Sequence, residues 1–392
     1  MKPINGFAGL ARWLSLCTVF VMGGIEARAE DAPVDEPESV EIAVAYTADV
    51  WSNLAGGARR GVRYLDNLDL LLDIEGGGAF GLPGVQFHAH ILYNNGQSFS
   101  DLVGDAQVVS NIETQIEAIR LFEAWADIPI GGGGSLRFGL YDLNSEFDAV
   151  DAGALFLNSS HGIGAEFASS GQNGPSIFPV TSLALRLQRT ITPQWTVRAA
   201  ILDAVPGDPN YPKRTAIKLS DEQGALLIAE IERQSGGTRF VAGHWFYTRD
   251  QARFDAAGVA PSRGGYALLE RRLAGDEDGT EGELRGFARA GFADRRTSPV
   301  AAYFGAGLNW SQPFMFEREH ALGLAVAWAE FGRPYRRETL AKQREVNVEL
   351  TYRHSLSDYV TVQPDIQLIF SPAGDPSLDT AIAAGLRVVL EL

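Results

Sequence analysis

The sequence predicts an all-β protein, a transmembrane antiparallel β-barrel of about sixteen strands with a long third outer loop folded inward. Three observations predict it: a two-residue period in hydrophobicity that recurs along nearly the whole chain, an even number of such segments, and connections that alternate long and short. A period of two places one face of a strand against an apolar phase and the other against a wetter one. In lipid such a sheet must close on itself, because an unpaired edge would leave backbone groups without partners.

Taken in order, the chain opens on what resembles a secretory signal over 1–29. Lys2 and Arg12 supply positive charge, Trp13 to Ile25 form an apolar run of 13 residues, and Ala27-Arg28-Ala29 offers a small-x-small cleavage site. The run falls short of the roughly 20 residues that a spanning helix needs. The sole cysteine, Cys17, lies inside this segment, preceded by Leu16 rather than a small residue, so a lipid anchor is not expected and the mature chain has no thiol. Residues 30–41, rich in Asp, Glu and Pro, read as a flexible acidic leader. Of 33 Lys and Arg and 49 Asp and Glu, the signal removes Lys2, Arg12, Arg28 and Glu26, so the remainder carries a net charge of −18. That balance argues against nucleic acid as a partner.

The barrel is expected over 42–392. Ile42, Val44, Tyr46 and Val50 alternate with Thr47, Asp49, Trp51 and Asn53; Leu68, Leu70, Leu72 and Ile74 alternate with Asn67, Asp69 and Asp73. The pattern continues through Val85–Tyr93, with Gln86, His88 and His90 on the polar parity, and returns in Glu345–Arg353 and Val360–Phe370. In the last segment Leu386, Val388, Leu390 and Leu392 oppose Arg387 and Glu391. Strands are predicted near 42–53, 63–74, 85–93, 113–126, 136–142, 180–189, 195–203 and 224–233. A second set follows near 239–247, 265–273, 283–293, 301–311, 320–330, 344–354, 359–370 and 381–392. In the 113–126 segment the polar and apolar positions exchange parity midway.

If both termini are periplasmic, the long connections 94–112, 143–179, 204–223 and 248–264 all face outside, and short turns such as 190–194 and 234–238 face the periplasm. Trp195, Trp310, Tyr352 and Tyr359 near one set of strand ends, and Trp245 and Trp328 near the other, fit aromatic girdles at the lipid–water boundary.

Several blocks of sequence resemble the carbohydrate-selective porins of the OprB type. They are Tyr141-Asp-Leu-Asn-Ser-Glu-Phe-Asp148, Leu155-Phe-Leu-Asn-Ser-Ser-His-Gly-Ile-Gly164, Asn173-Gly-Pro-Ser-Ile-Phe-Pro179, Ala200-Ile-Leu-Asp-Ala-Val-Pro-Gly-Asp208, His244-Trp-Phe-Tyr247 and Val362-Gln-Pro-Asp-Ile-Gln367 with Gly374-Asp-Pro-Ser-Leu378. They are colinear from about residue 46 to the end. The resemblance implies a sixteen-stranded barrel in the outer membrane of a Gram-negative bacterium that passes monosaccharides such as glucose, with no cofactor. Leu392 stands where the family usually ends on an aromatic residue.

A sugar path needs side chains that exchange hydrogen bonds with hydroxyls, bound weakly enough to release. Parity sends Asp49, Trp51, Asn67, Asp69, Gln86, His88, His90, Arg137, Tyr141, Arg186 and Arg198 to the lumen, then Arg285, Arg289, Glu345, Asn347, Glu349, Arg353, Gln363, Asp365 and Gln367. The candidate constriction set is Arg137, Tyr141, Asp142, Asn144, Glu146, Trp51, Asp69, Arg186 and Arg198. Arg137 and Tyr141 precede the third loop; Asp142, Asn144 and Glu146 open it, where they could equally terminate a strand and cap a turn. Trp51 is read either as a stacking platform or as filler in the loop collar. His88 and His90 share a face, but two ligands fall short of the three or four a metal site requires, and no metal is assigned. His161 beside Ser159 and Ser160 suggests a triad only in composition. A general or charge-selective porin, a secreted β-rich hydrolase and an adhesion module remain as alternatives. Expected partners are monosaccharides, outer-membrane lipid and the barrel-assembly machinery through the last strand, as a monomer or a homotrimer.

Overall fold

The structure, a computed structural model, describes residues 40–254, 256–275, 282–314, 316 and 318–392. The expected signal peptide and all but Val40 and Glu41 of the expected leader lie outside them. Sixteen strands form one closed barrel. They are β1 (Val40–Ala55), β2 (Gly61–Glu75), β3 (Gln86–Asn94), β4 (Ala118–Gly131), β5 (Gly134–Tyr141), β6 (Ser182–Thr192), β7 (Trp195–Asp203), β8 (Ala225–Ser235) and β9 (Thr238–Tyr247). After a two-stranded hairpin of β10 (Gln251–Ala252) and β11 (Val259–Ala260), the barrel resumes with β12 (Arg263–Ala274), β13 (Glu283–Ala293) and β14 (Val300–Ser311). β15 (His320–Phe331), β16 (Arg344–Ser355), β17 (Val360–Phe370) and β18 (Ala381–Glu391) complete it. Every neighbour is antiparallel, and β1 closes on β18 from Ala45 opposite Glu391 to Ala55 opposite Ile382. No helix among the described residues is long and apolar enough to cross a membrane.

The outward positions are apolar without a protein partner. Ile42, Val62, Ile119 and Phe138 are each more than half exposed, as are Phe292 and Leu324 on the far side. Side chains of this kind ringing a cylinder are stable only against hydrocarbon. Trp310 and Tyr359 are exposed on this outer face.

Two sequence expectations change. β4 begins at Ala118 rather than near 113, because Glu113 is taken by the loop before it, accepting from the Ser98 hydroxyl at 2.6 Å and the Ser100 amide at 3.1 Å. The exchange of parity within this strand is a β-bulge: His90 faces Glu123 while the adjacent Ile91 faces Leu121, leaving Phe122 as the extra residue. Below it Glu123, Trp125 and Asp127 point inward. Trp245, expected in a girdle, instead faces the lumen and is fully buried, its ring stacked 4.8 Å from Phe167. Girdle and lumen look alike in sequence here because the third loop supplies an apolar partner inside the barrel.

That loop, 142–181, folds into the lumen as expected. Leu143, Phe147, Leu155, Phe156 and Phe167 pack on inward-facing Leu202, Ile228, Val241, Trp245, Tyr266 and Phe287 of the wall. Burying each such side chain contributes roughly 1.5–3 kcal/mol, so the loop has a core of its own. Its polar anchor is Arg289, which donates to Asp148 through Nε at 2.9 Å and Nη2 at 2.6 Å and to Glu166 at 2.8 Å. Gly164 makes this approach possible, since a Cβ there would sit 2.0 Å from Arg289 Nη1.

Candidate functional site at the loop constriction

β4, β5 and β6 run side by side, and their inward parity aligns Asp127, Arg137 and Arg186 in one row across three strands. The third loop leaves β5 at Tyr141 and returns Glu146 onto this row. Arg186 grips Glu146 with two donors, Nε at 2.7 Å and Nη2 at 2.8 Å, while Nη2 also reaches Asp127 at 2.7 Å and Nη1 reaches the Ser135 hydroxyl at 2.6 Å. Arg137 donates to the same Asp127 oxygen at 3.0 Å and lies 3.7 Å from Glu146. Tyr141 donates its hydroxyl to Glu146. Two guanidinium groups and two carboxylates therefore form a compact, charge-balanced quartet. Bidentate charge-assisted contacts of this type fix both planes.

Exposure separates the members. Arg186 is buried and serves as the hub, whereas the side chains of Arg137, Asp127 and Glu146 keep 13–17% of their surface. The Arg137 guanidinium lies over Trp125, 3.7 Å from the ring centre, which orients it by cation–π attraction. Gly139, opposite Trp125 in the ladder, has φ +144°, and a Cβ there would meet the Ala124 carbonyl at 2.1 Å. Only glycine fits this position.

A second ion cluster adjoins it on β7–β9. Arg198 donates to Gln188 at 2.8 Å, Glu230 at 3.1 Å and Glu232 at 2.9 Å, and Arg239 links Glu232 to Glu270. Asp69 lies farther along the open wall, accepting from His90 Nε2 at 2.8 Å.

The remaining candidates do other work. The Asp142 carboxylate accepts from the Asn144 amide at 2.9 Å and so caps a short helical turn, while its own amide donates to Glu123. Asn144 donates to the Phe147 and Gly162 carbonyls, stapling the loop. Trp51 is fully buried, bonded to Asp49 at 3.1 Å and packed 5.6 Å from Phe99 in the collar made by residues 95–117, which leaves no ring face for a ligand. His161 is sealed between Phe156 and Phe287; burial pulls its pKa down to about 3, and no serine hydroxyl bonds its ring among the described contacts.

A larger correction concerns the lumen as a whole. Parity correctly points Asp49, Arg289, Glu345, Asn347, Glu349, Gln363, Asp365 and Gln367 inward, yet all are buried. Glu349 accepts the Leu157 and Asn158 amides of the third loop, Glu345 accepts the Ala106 and Gln107 amides of the collar, and Gln363 donates to the Leu155 carbonyl. These groups hold loops; they do not meet solute. Sequence reasoning also missed Glu123, Trp125 and Asp127. Their alternation with Ala124, Ala126 and Ile128 is plain once one residue is allowed to bulge at Phe122.

Comparison with known proteins places this geometry. Residues 59–392 match the family described as carbohydrate-selective porin, OprB family. Porin B of Pseudomonas aeruginosa is 22% identical over 395 residues, covering 88% of this chain and 85% of its own. The high-pH structure of Pseudomonas putida OprB superimposes with a TM-score of 0.80 at 20% identity, over 90% of this chain and 94% of that one. The outer-membrane channel DcaP of Acinetobacter baumannii gives 0.55 at 10% identity, over 90% and 97%. At these identities the two structures speak for the barrel alone.

Proposed function

The chain belongs to the OprB family of carbohydrate-selective porins, and from that premise we propose that monosaccharides such as glucose pass the constriction along the β2–β7 wall, in contact with Arg137, Glu146, Asp127 and Arg198. The protein is a sugar-preferring porin of the Gram-negative outer membrane, with the long-loop rim outside and the short-turn rim in the periplasm. The observation that supports the path is the charge-balanced quartet with partly exposed edges. A neutral polyol gains nothing from a net field, but it gains from donors and acceptors already fixed in place. Arg137 offers N–H groups and Glu146 offers oxygens, each oriented by a partner, so little reorganisation is needed as a hydroxyl pair enters.

Release is fast for the same reason. The ions remain paired with each other when the sugar leaves, so no charge is stranded and binding stays shallow. The reading is of a passive pore without turnover. Export through the signal segment 1–29, insertion by the barrel-assembly machinery acting on β18, and a monomeric or trimeric state complete it.

Glucose-dependent block of ion current through the purified protein in a planar bilayer tests the proposal. Block by glucose but not by an amino acid of equal size supports it. Sorting of solutes by charge, with no sugar discrimination, replaces it with a charge-selective general porin, a reading favoured by the abundance of Arg and acid in the lumen.

A further inference from the structure

β3 and β4 bring together three groups with the chemistry of metal ligands. One nitrogen from each of His88 and His90 and one oxygen of Glu123 all lie within 4.8 Å of one another. The histidines share a face at spacing two, and the bulge at Phe122 turns Glu123 toward them; His90 faces Glu123 directly across the ladder. Without that bulge the third ligand would sit in the opposite parity.

Each ligand is oriented from behind. His88 Nδ1 bonds Asp73 at 2.8 Å, leaving Nε2 toward Glu123 Oε2, 3.9 Å away. His90 Nε2 bonds Asp69 at 2.8 Å, and Asp69 is itself held by the Asn67 amide. Glu123 Oε1 is occupied by the Trp125 indole at 3.2 Å and the Asp142 amide at 2.9 Å, which frees Oε2. A carboxylate behind each imidazole, fixing the ring and raising its basicity, is the outer shell that metal-binding histidines have. Ion-pairing of polar groups on a wet wall accounts for two His–Asp contacts, but not for a glutamate oxygen and two imidazole nitrogens gathered within 4.8 Å of one another.

We propose that His88, His90 and Glu123 bind a divalent transition metal of the zinc class on the lumen wall, with lumen water as the fourth ligand. Two imidazoles and a carboxylate suit zinc, copper or nickel; magnesium and calcium prefer all-oxygen sets. Tetrahedral zinc with bonds of about 2.0–2.1 Å requires ligand atoms about 3.4 Å apart, so the three side chains draw in by roughly an ångström on binding. His88 stacks on Trp125 at 4.9 Å, and Trp125 carries Arg137 on its ring. An occupied site therefore places positive charge beside the constriction.

Calorimetry of the full chain in detergent, titrated with zinc chloride against a magnesium chloride control, tests this independently of sugar transport. About one zinc per chain is expected, with His90→Gln and Asp73→Asn each weakening binding by about 10- to 100-fold. His354→Gln, which alters a histidine on the outer face, should leave the titration unchanged. Asp73→Asn changes a half-exposed lumen residue behind His88 and keeps the test decisive if the ligand variant misfolds. Zinc heats no larger than those of magnesium, or variants at residues 73 and 90 that bind zinc as tightly as the parent, overturn the proposal.

Discussion

The two sides of the barrel carry the same alternation of sequence and put it to opposite uses. On the wall from β2 to β7, inward ionisable groups such as Asp69, Arg137 and Arg198 keep part of their surface in the lumen. On the wall from β13 through β18 to β1, Arg289, Glu345, Glu349, Gln367 and Asp49 are buried under loops and answer to backbone amides, carbonyls or a paired charge. The difference teaches that inward parity says which way a side chain points, not what it meets. The loops decide that.

The comparison breaks most severely at Arg289. Replacing it with Ala leaves Asp148 and Glu166 buried and unpaired, a loss of about 3–5 kcal/mol. We expect the third loop to leave the lumen, seen as higher single-channel conductance and a lower denaturation midpoint in detergent. Unchanged conductance would show that the loop's apolar core holds it alone.

The collar on the sealed side should respond to pH. Burial raises Asp105 to about 7, with the Glu345 charge adding to it, and burial raises Glu113 to about 7. Both are acids whose folded pKa exceeds the ordinary value near 4, so their contribution is complete below about pH 4 and is lost as pH rises to 7. The slope is about 1.4 kcal/mol per pH unit for one group acting alone, and repulsion between the two makes them non-additive. Protease nicking or hydrogen exchange of residues 95–117 should therefore increase from pH 5 to 7 and level off above. Asp105→Asn should flatten the response, and a collar equally protected at both pH values would remove the argument.

On the open wall, Arg137→Ala should weaken glucose block about tenfold, the scale of losing a hydrogen bond from a charged donor at roughly 1.5–3 kcal/mol, with little change in the denaturation midpoint. The smallest effect sharpens the contrast. Trp51→Phe should cost about 1–2 kcal/mol of stability through lost packing and leave glucose block within about twofold. A tenfold loss of block there would return Trp51 to the sugar path.

Most of the barrel was legible in the sequence because lipid enforces the period of two at every outward position. Sixteen strands follow from it, while the inward third loop was expected from its length and from the habit of long third loops in barrels of this size. The site was legible in part: Arg137, Tyr141, Glu146 and Arg186 do meet, since parity and the loop boundary locate them. Asp142 and Asn144 turned out to shape the loop, as short polar side chains at a strand end commonly do. What stayed hidden was set by contacts distant in sequence: the roof over Glu345 and Glu349, the apolar partner of Trp245, and the bulge that delivers Glu123 and Asp127.

That single extra residue at Phe122 carries a consequence for how such a chain can diverge. Loops tolerate insertions and deletions because their length is not counted in twos. Within β4, removing a regularly paired residue while the bulge stays would move every later side chain of the strand across the wall, sending Asp127 into hydrocarbon and Ile128 into water, whereas removing Phe122 itself would restore plain alternation. Length changes in this stretch therefore come in pairs, or else alongside a compensating kink, and a gap of one between relatives here marks a bulge gained or lost.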